Sequence, residues 1–400
     1  MRLKRLLAAM VTLCALVTIA SCDKLTPAAP DDDTVLDGTI DNLTSEQSMK
    51  HLRGDIAFNN QIFTPETGLG PVFVATSCGS CHAGDGKGHP FTTLTRFGQK
   101  DSTGNTFIAQ GGPQLQNRAI PGYYPEKIPA GASFAKFTPP SNTGLGYLEL
   151  VSDADILAMA DPYDSNGDGI SGVPQWNYLP GFITPNANSV SQDGKYICRF
   201  GKKAAAYNLL HQTVNAYNQD MGIASSFEPY DVYSLHEIDP EVSNQTVYDV
   251  VFYLQTLKAP MQRNQNDPEV NNGKQVFSNI GCNSCHKETL KTGYSAITEL
   301  SNKEIHPYTD LLLHDMGSGL DDGYTEGNAK TYEWRTPPLW GLGLSPNAQG
   351  GSYFLLHDGR AKSIEEAISM HGGEAEKSKN MYQNLPQMSK DALLKFLKSL

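Results

Sequence analysis

The sequence predicts a mainly α-helical fold of two domains, with long irregular loops and a non-globular leader. Three observations carry this. Ser243 to Leu257 and Ser389 to Leu400 repeat apolar residues at three-to-four spacing: Val247, Val250, Val251, Leu254 and Leu257 in one, Leu393, Phe396, Leu397 and Leu400 in the other. That spacing builds the buried face of a helix. Residues 83–150 are rich in Gly and Pro with little periodicity, which predicts long ordered loops rather than regular structure. Finally, one pentapeptide pattern occurs twice, once in each half of the 400 residues, and that length suits two domains.

Met1 to Ser21 has the form of a signal peptide, with Arg2, Lys4 and Arg5 ahead of an apolar run from Leu6 to Ile19. Its end, Ile19-Ala20-Ser21-Cys22, resembles a bacterial lipobox. The resemblance implies cleavage before Cys22, acylation of that cysteine, and an exported lipoprotein held at the cell envelope or in the periplasm by the lipid alone. Residues 22–48, poor in apolar side chains and carrying Pro27, Pro30 and Asp31-Asp32-Asp33, read as a flexible tether. A domain over 49–260 follows, then a second over 261–400, with the polar link Met261 to Asn266 at the boundary.

Within the first domain, helices are expected over Met49 to Phe63, Leu148 to Ala160, 202–218 and Ser243 to Leu257, the last stopped by Pro260. Asp164-Ser165-Asn166-Gly167-Asp168-Gly169 matches the first half of a calcium loop, with Asp164, Asn166 and Asp168 as candidate ligands. The twelfth position is Gln175, so an EF-hand is not supported; another kind of calcium site and an Asx-rich turn both stay open. In the second domain Asp267-Pro268 is an N-cap and first-turn pair for a helix through Gly273, Val276 and Phe277.

The repeated pentapeptide is Cys78-Gly79-Ser80-Cys81-His82 and Cys282-Asn283-Ser284-Cys285-His286. Cys-x-x-Cys-His is the attachment signature of c-type haem: two thiols bond the porphyrin and the imidazole becomes the proximal iron ligand. Zinc ribbons need their two pairs close in sequence, and thioredoxin-type pairs do not need the His. Two covalent haems c are therefore expected. Of the seven cysteines, Cys14 leaves with the signal, Cys22 takes lipid and four take haem, so Cys198 stands alone as a structural thiol. The helix with Gly273 before the second motif resembles the first helix of a cytochrome c domain, and the expected architecture is two cytochrome c-like domains.

Formal charge is −12, and loss of Arg2, Lys4 and Arg5 with the signal leaves about −15. This argues against nucleic acid; it suits a positively charged redox partner protein, or solubility alone.

The second axial position decides the chemistry, since an iron with an open face binds small oxidants and one with two strong ligands passes electrons. Ser363-Ile364-Glu365-Glu366 starts a helix on which Ile364, Ala367, Ile368 and His371 share a face. His371 is thus the expected sixth ligand of haem 2 in preference to Met370, with His314 and Met316 packing at the haem edge. For haem 1 no helix-borne ligand appears, and His89 in a Gly-rich turn is the weak candidate. Glu149 is placed as acid–base group at an open face, with helix-terminus charge as its bland alternative; Gln114 is a further pocket candidate.

Trp334-Arg335-Thr336-Pro337-Pro338-Leu339-Trp340-Gly341-Leu342-Gly343, Leu356-His357-Asp358-Gly359-Arg360-Ala361 and His371-Gly372-Gly373-Glu374-Ala375 resemble the di-haem oxidoreductase family, with support from Gly112 to Pro121 and Asp164 to Gly172. That family, also called thiol oxidoreductase, is similar to di-haem cytochrome c peroxidases and MauG-like enzymes. The resemblance spans roughly residues 50–400. It implies peroxide reduction at the N-terminal haem with electrons relayed by the C-terminal haem from a protein or small donor. It also aligns His371 with the Met that serves as sixth ligand in the wider peroxidase group. One departure is that the first domain lacks the Trp-Asp-Gly-Arg segment supplying a bridging Trp; Trp176 and Trp340 are the candidates to replace it. The alternatives are a non-catalytic electron-transfer cytochrome and a thiol or protein-partner oxidase.

Overall fold

The computed structural model describes residues 36, 38–98 and 105–400. The signal peptide, Cys22 and the first part of the tether lie outside the described residues. Residues 38–48, read as the end of the tether, belong to the body: Ile40 is buried, its N–H donates to Thr256 O at 2.9 Å, and Thr44 caps the first helix with a capping box to Gln47. A buried apolar side chain and paired backbone are what a solvated tether lacks.

Two helix crossings organise the body, and they are built alike. Helix Ser45–Asp55 crosses Asn244–Thr256 at Gly54, where a Cβ would stand 2.0 Å from Asp249 O and 2.6 Å from Tyr253 Cβ. Helix Pro268–Asn279 crosses Gln387–Ser399 at Gly273, where a Cβ would stand 2.0 Å from Ala392 O and 2.7 Å from Phe396 Cβ. Only glycine permits so close a backbone approach. Four residues after each glycine, one turn along, a Phe turns inward: Phe58 packs on Tyr253 and Phe277 on Phe396, each with ring centroids 5.4 Å apart.

The mainly α expectation is corrected. Helix makes up 35% and strand 13%, a mixed fold of short helices and small sheets. The loop region 83–150 contains the five-residue antiparallel pair Leu94–Gly98 and Ser133–Phe137, and Val72–Phe73 pairs with Arg118–Ala119. Gln175–Asn177, Lys195–Cys198 and Ser191–Gln192 form a three-stranded sheet, while Leu290–Lys291/Glu304–Ile305 and Leu313–Asp315/Glu333–Arg335 add two ladders. Most of these strands have only two or three residues, too few for a period of two to register, and the partner of Leu94–Gly98 lies some forty residues along the chain.

Helix bounds differ for local reasons. The 202–218 expectation starts late: Asn208 caps a helix over Leu209–Met221, because residues 202–207 turn back to pair Phe200 with Ala206. The 148–160 expectation divides into Leu145–Glu149 and Asp153–Met159, since Ser152 caps the second. Asp267 caps Pro268–Asn279 by accepting from Glu269 N and Val270 N, as expected. Among the described residues no helix is long and apolar enough to cross a membrane.

Gly54→Ala and Gly273→Ala should each lower stability by about 1–3 kcal/mol, the usual penalty of overpacking. Guanidinium unfolding of the purified protein checks this; unchanged midpoints would show that the crossings widen freely.

Candidate functional site

Both pentapeptides close into the same turn. In each, the His N–H donates to the carbonyl of the first Cys at 3.0 Å. Phe58 faces the His82 ring with centroids 5.9 Å apart, and Phe277 faces His286 at 6.3 Å, both tilted by 54°. The helix crossings therefore position the two imidazoles. All four cysteines and both histidines line one continuous cavity.

The electrostatics of these groups suit haem attachment. Burial pushes the Cys78 and Cys282 thiols up to about 12 and Cys81 to about 11, with Asp220 adding to the shift at Cys78 and Cys81. Redox and zinc cysteines need depressed values; these thiols are held protonated and apolar. Burial drives His82 and His286 down to about 4, so both are neutral imidazoles, the form that binds iron. His286 Nδ1 sits 3.0 Å from Tyr308 O, leaving Nε2 for the cavity. His82 Nδ1 faces the Pro140 carbonyl without meeting hydrogen-bond geometry.

His371 follows the helix Ile364–Ser369, whose N-cap Ser363 accepts from Glu366 N. It lines the cavity, and its Nδ1 is held 2.7 Å from Ala367 O. That contact directs Nε2 inward, and burial keeps the ring neutral. Met370 packs in the second core cluster instead. His314 and Met316 line the cavity. His314, on the strand Leu313–Asp315, is clamped with Nε2 2.9 Å from Asp310 and Nδ1 2.6 Å from Glu374, and with Cys285 Sγ at 3.5 Å. Burial opposes its charge, but Asp310, Cys285 and Glu374 outweigh that and hold it well above the ordinary range.

Several sequence candidates fall elsewhere. Glu149 does not line the cavity. Its Oε1 accepts from Leu209 N at 2.8 Å and its Oε2 from Gln255 Nε2 at 2.7 Å, so it caps the start of the Leu209–Met221 helix. That placement takes it off the cavity wall, with both oxygens committed to protein donors. Gln114 is buried behind the wall, donating to Gln219 O and Asp220 Oδ1. His89 packs against the Phe91 and Phe354 rings, tilted to one and edge-on to the other, outside the cavity lining. In the calcium candidate, Asp164 Oδ1 accepts from Gly169 N, Asn166 Oδ1 from Asp168 N, and Asp168 Oδ1 from Ile170 N; the last two are Asx turns, and the first spans five residues. Of the bridging candidates, Trp340 lines the cavity and Trp176 does not, while Trp334 lines it too.

The helix Leu209–Met221 was missed as a site element. It turns Gln212, Thr213, Tyr217 and Asp220 into the cavity beside the first motif, and the Thr213 and Tyr217 hydroxyls are buried without partners. Burial lifts Asp220 to about 6, against the pull of Gln114 and Arg96. Their spacing at i, i+1, i+5 and i+8 was visible, but without knowing that this face meets the first motif it reads as ordinary core.

Paired Cys-x-x-Cys-His turns on one cavity, with neutral buried imidazoles and unpartnered polar groups, define a two-haem redox protein. The family described as "Di-haem oxidoreductase, putative peroxidase" matches residues 31–99 and 135–400, and the chain belongs to that family. Among solved structures, Kuenenia stuttgartiensis hydrazine synthase pressurised with xenon is similar at 14% identity and a TM-score of 0.37, covering 94% of this chain and 97% of that one. No curated protein matches the chain.

The His314 clamp yields a stability prediction. Its folded pKa is raised, so its contribution is full below the unfolded value and persists until pH passes the raised one. Glu374 is held below its ordinary range, so its contribution is present above that range and lost as acid protonates it. His314→Gln should cost about 3 kcal/mol near neutral pH by leaving two buried carboxylates unpaired, and the deficit should shrink in acid. Unfolding curves at several pH values check both the size and the trend.

Proposed function

We propose that the chain is a c-type di-haem peroxidase, with haem attached covalently through Cys78/Cys81 and Cys282/Cys285, and that it is exported and anchored through Cys22. The observation that carries the reading is a shortage of imidazole ligands. Among the described residues five imidazoles line the cavity: His82, His286, His314, His357 and His371. His314 is tied at both nitrogens, and His357 Nε2 is held by Asp322 at 2.6 Å while its ring stacks on Trp334. Three imidazoles with a free Nε2 remain for four axial positions. His371 lies close enough for its charge to lower the pKa of His286, so these two would serve one iron. His82 then stands alone.

The haem would supply the iron-centred electron chemistry that splits a peroxide O–O bond. The chain supplies the rest. Thr213 and Tyr217 offer hydroxyls to orient a small oxidant, and Asp220 takes its proton and returns it to the departing water. Gln114 fixes the Asp220 carboxyl, so it is a positioning residue on this reading. Reduction to two waters consumes two electrons and two further protons; the protons would come from solvent, and a redox partner protein or small donor must deliver the electrons, with the second haem as the point of entry.

EPR of the oxidised, haem-loaded protein should show one high-spin and one low-spin ferric signal. Two low-spin signals that persist through half-reduction would mean that both irons are closed, with Met221 or Met316 as the thioethers to examine, and would sink the peroxidase.

Reaction with hydrogen peroxide, followed by stopped flow, should slow as pH falls through about 6, where Asp220 loses its charge. Asp220→Asn should be at least about tenfold slower and lack that limb. A retained limb assigns it to another group.

A further inference from the structure

Lys87, Lys202 and Arg335 line the cavity wall, and among the described residues none of them meets a carboxylate at salt-bridge distance. Lys87 Nζ donates to Leu356 O at 2.9 Å, and Arg335 donates to Gly201 O and Thr336 O. Lys202 Nζ has no hydrogen-bond partner among the described residues. Asp358, which Lys87 and Lys202 feel at longer range, is already paired with Arg360 at 2.6 Å. Two further donors on the wall, Asn142 Nδ2 and Trp340 Nε1, are buried and unpartnered.

Each of these five groups is a donor, three of them cationic, and none has an acceptor of opposite charge. Desolvated cations without a counter-ion are costly, and burial accordingly lowers Lys202 to about 7 and Arg335 to about 10. A wall of donors fits an acceptor-only anion, and a carboxylate is the group that accepts several such bonds at once. Position narrows the source. Lys202 acts on His82; Arg335 N donates to Lys202 O at 3.1 Å, and Arg335 feels Asp310, a carboxylate that also acts on His286.

We propose that Lys87, Lys202 and Arg335, with Asn142 and Trp340, form a cradle for haem carboxylates on the wall between the two motifs. This rests on the two-haem reading. The cradle would fix the porphyrins in rotation about their thioether edges. It would also keep their carboxylates ionised, so that haem reduction takes up no proton there.

The test uses the full haem-loaded chain. Pyridine haemochrome assay of the parent should give two haems per chain; a different number removes the two-haem reading itself. Spectroelectrochemical titration of Lys202→Gln and Arg335→Gln should then show the midpoint of one haem lowered, because a positive charge that favoured the reduced state has gone. That midpoint should become pH-dependent over roughly pH 5–8, as the freed carboxylate rises in pKa. Lys202→Arg should restore the parent profile, separating charge from folding. Midpoints and pH profiles that superimpose on the parent's in both Gln variants would overturn the cradle. So would a saturable Soret shift on adding sulfate to the parent at constant ionic strength, lost in Lys202→Gln, since the cations would then be serving a free anion.

Discussion

Everything at the site hangs on two backbone contacts that admit no side chain. At Gly54 and Gly273 a helix lies directly on the carbonyls of its partner, and the next turn delivers Phe58 or Phe277 to the face of His82 or His286. The imidazole is thereby confined between an aromatic wall and the cavity before any cofactor is considered. Burying each Phe is worth about 1.5–3 kcal/mol, and the interlocked rings of Tyr253 and Phe396 make that burial conditional on the crossing distance. A methyl group at either glycine would move the aromatic pair and the proximal imidazole together.

Burial then sorts the titratable groups. Imidazoles facing apolar surroundings are held neutral, as at His82, His286 and His371, and on our proposal these are the ones that would hold iron. The imidazole given two carboxylates, His314, is held charged instead, with both nitrogens occupied. One residue type thus serves two ends, decided by whether Asp310 and Glu374 or a backbone carbonyl meets its ring. The same low-polarity setting holds the four thiols protonated.

The attachment motifs, the caps at Asp267 and Ser363, and the inward face of His371 could be read from sequence because each is local: spacing within one turn or one pentapeptide determines it. What could not be read depends on distant partners. Glu149 sits beside a Gly loop at a helix end, as a pocket acid might, yet its fate is set by Leu209 N, sixty residues on. Asp220 and Lys202 look like surface charges in their own windows. Only the folding of the Leu209–Met221 helix and of the turn at Gly201 against the first motif brings them inside. The small sheets escaped for the same reason, since a two-residue strand such as Val72–Phe73 has no pattern without Arg118–Ala119 opposite.

The two halves repeat the crossing, the aromatic pair and the Cys-x-x-Cys-His turn, so their difference must come from what covers each motif. Over the second lies the end of a short helix that stops at Met370 and lets His371 turn inward with its Nδ1 already spent on Ala367 O. Beside the first lies a full helix, Leu209–Met221, which presents side chains standing off its axis: hydroxyls, an amide and a carboxyl, with the Met221 thioether at its end. A helix terminus can bring a ligand to an iron; a helix flank holds the backbone farther back and leaves room for a small molecule. On our proposal this contrast, rather than any difference in the attachment turns, divides electron relay from peroxide chemistry in a chain whose two halves are otherwise built alike.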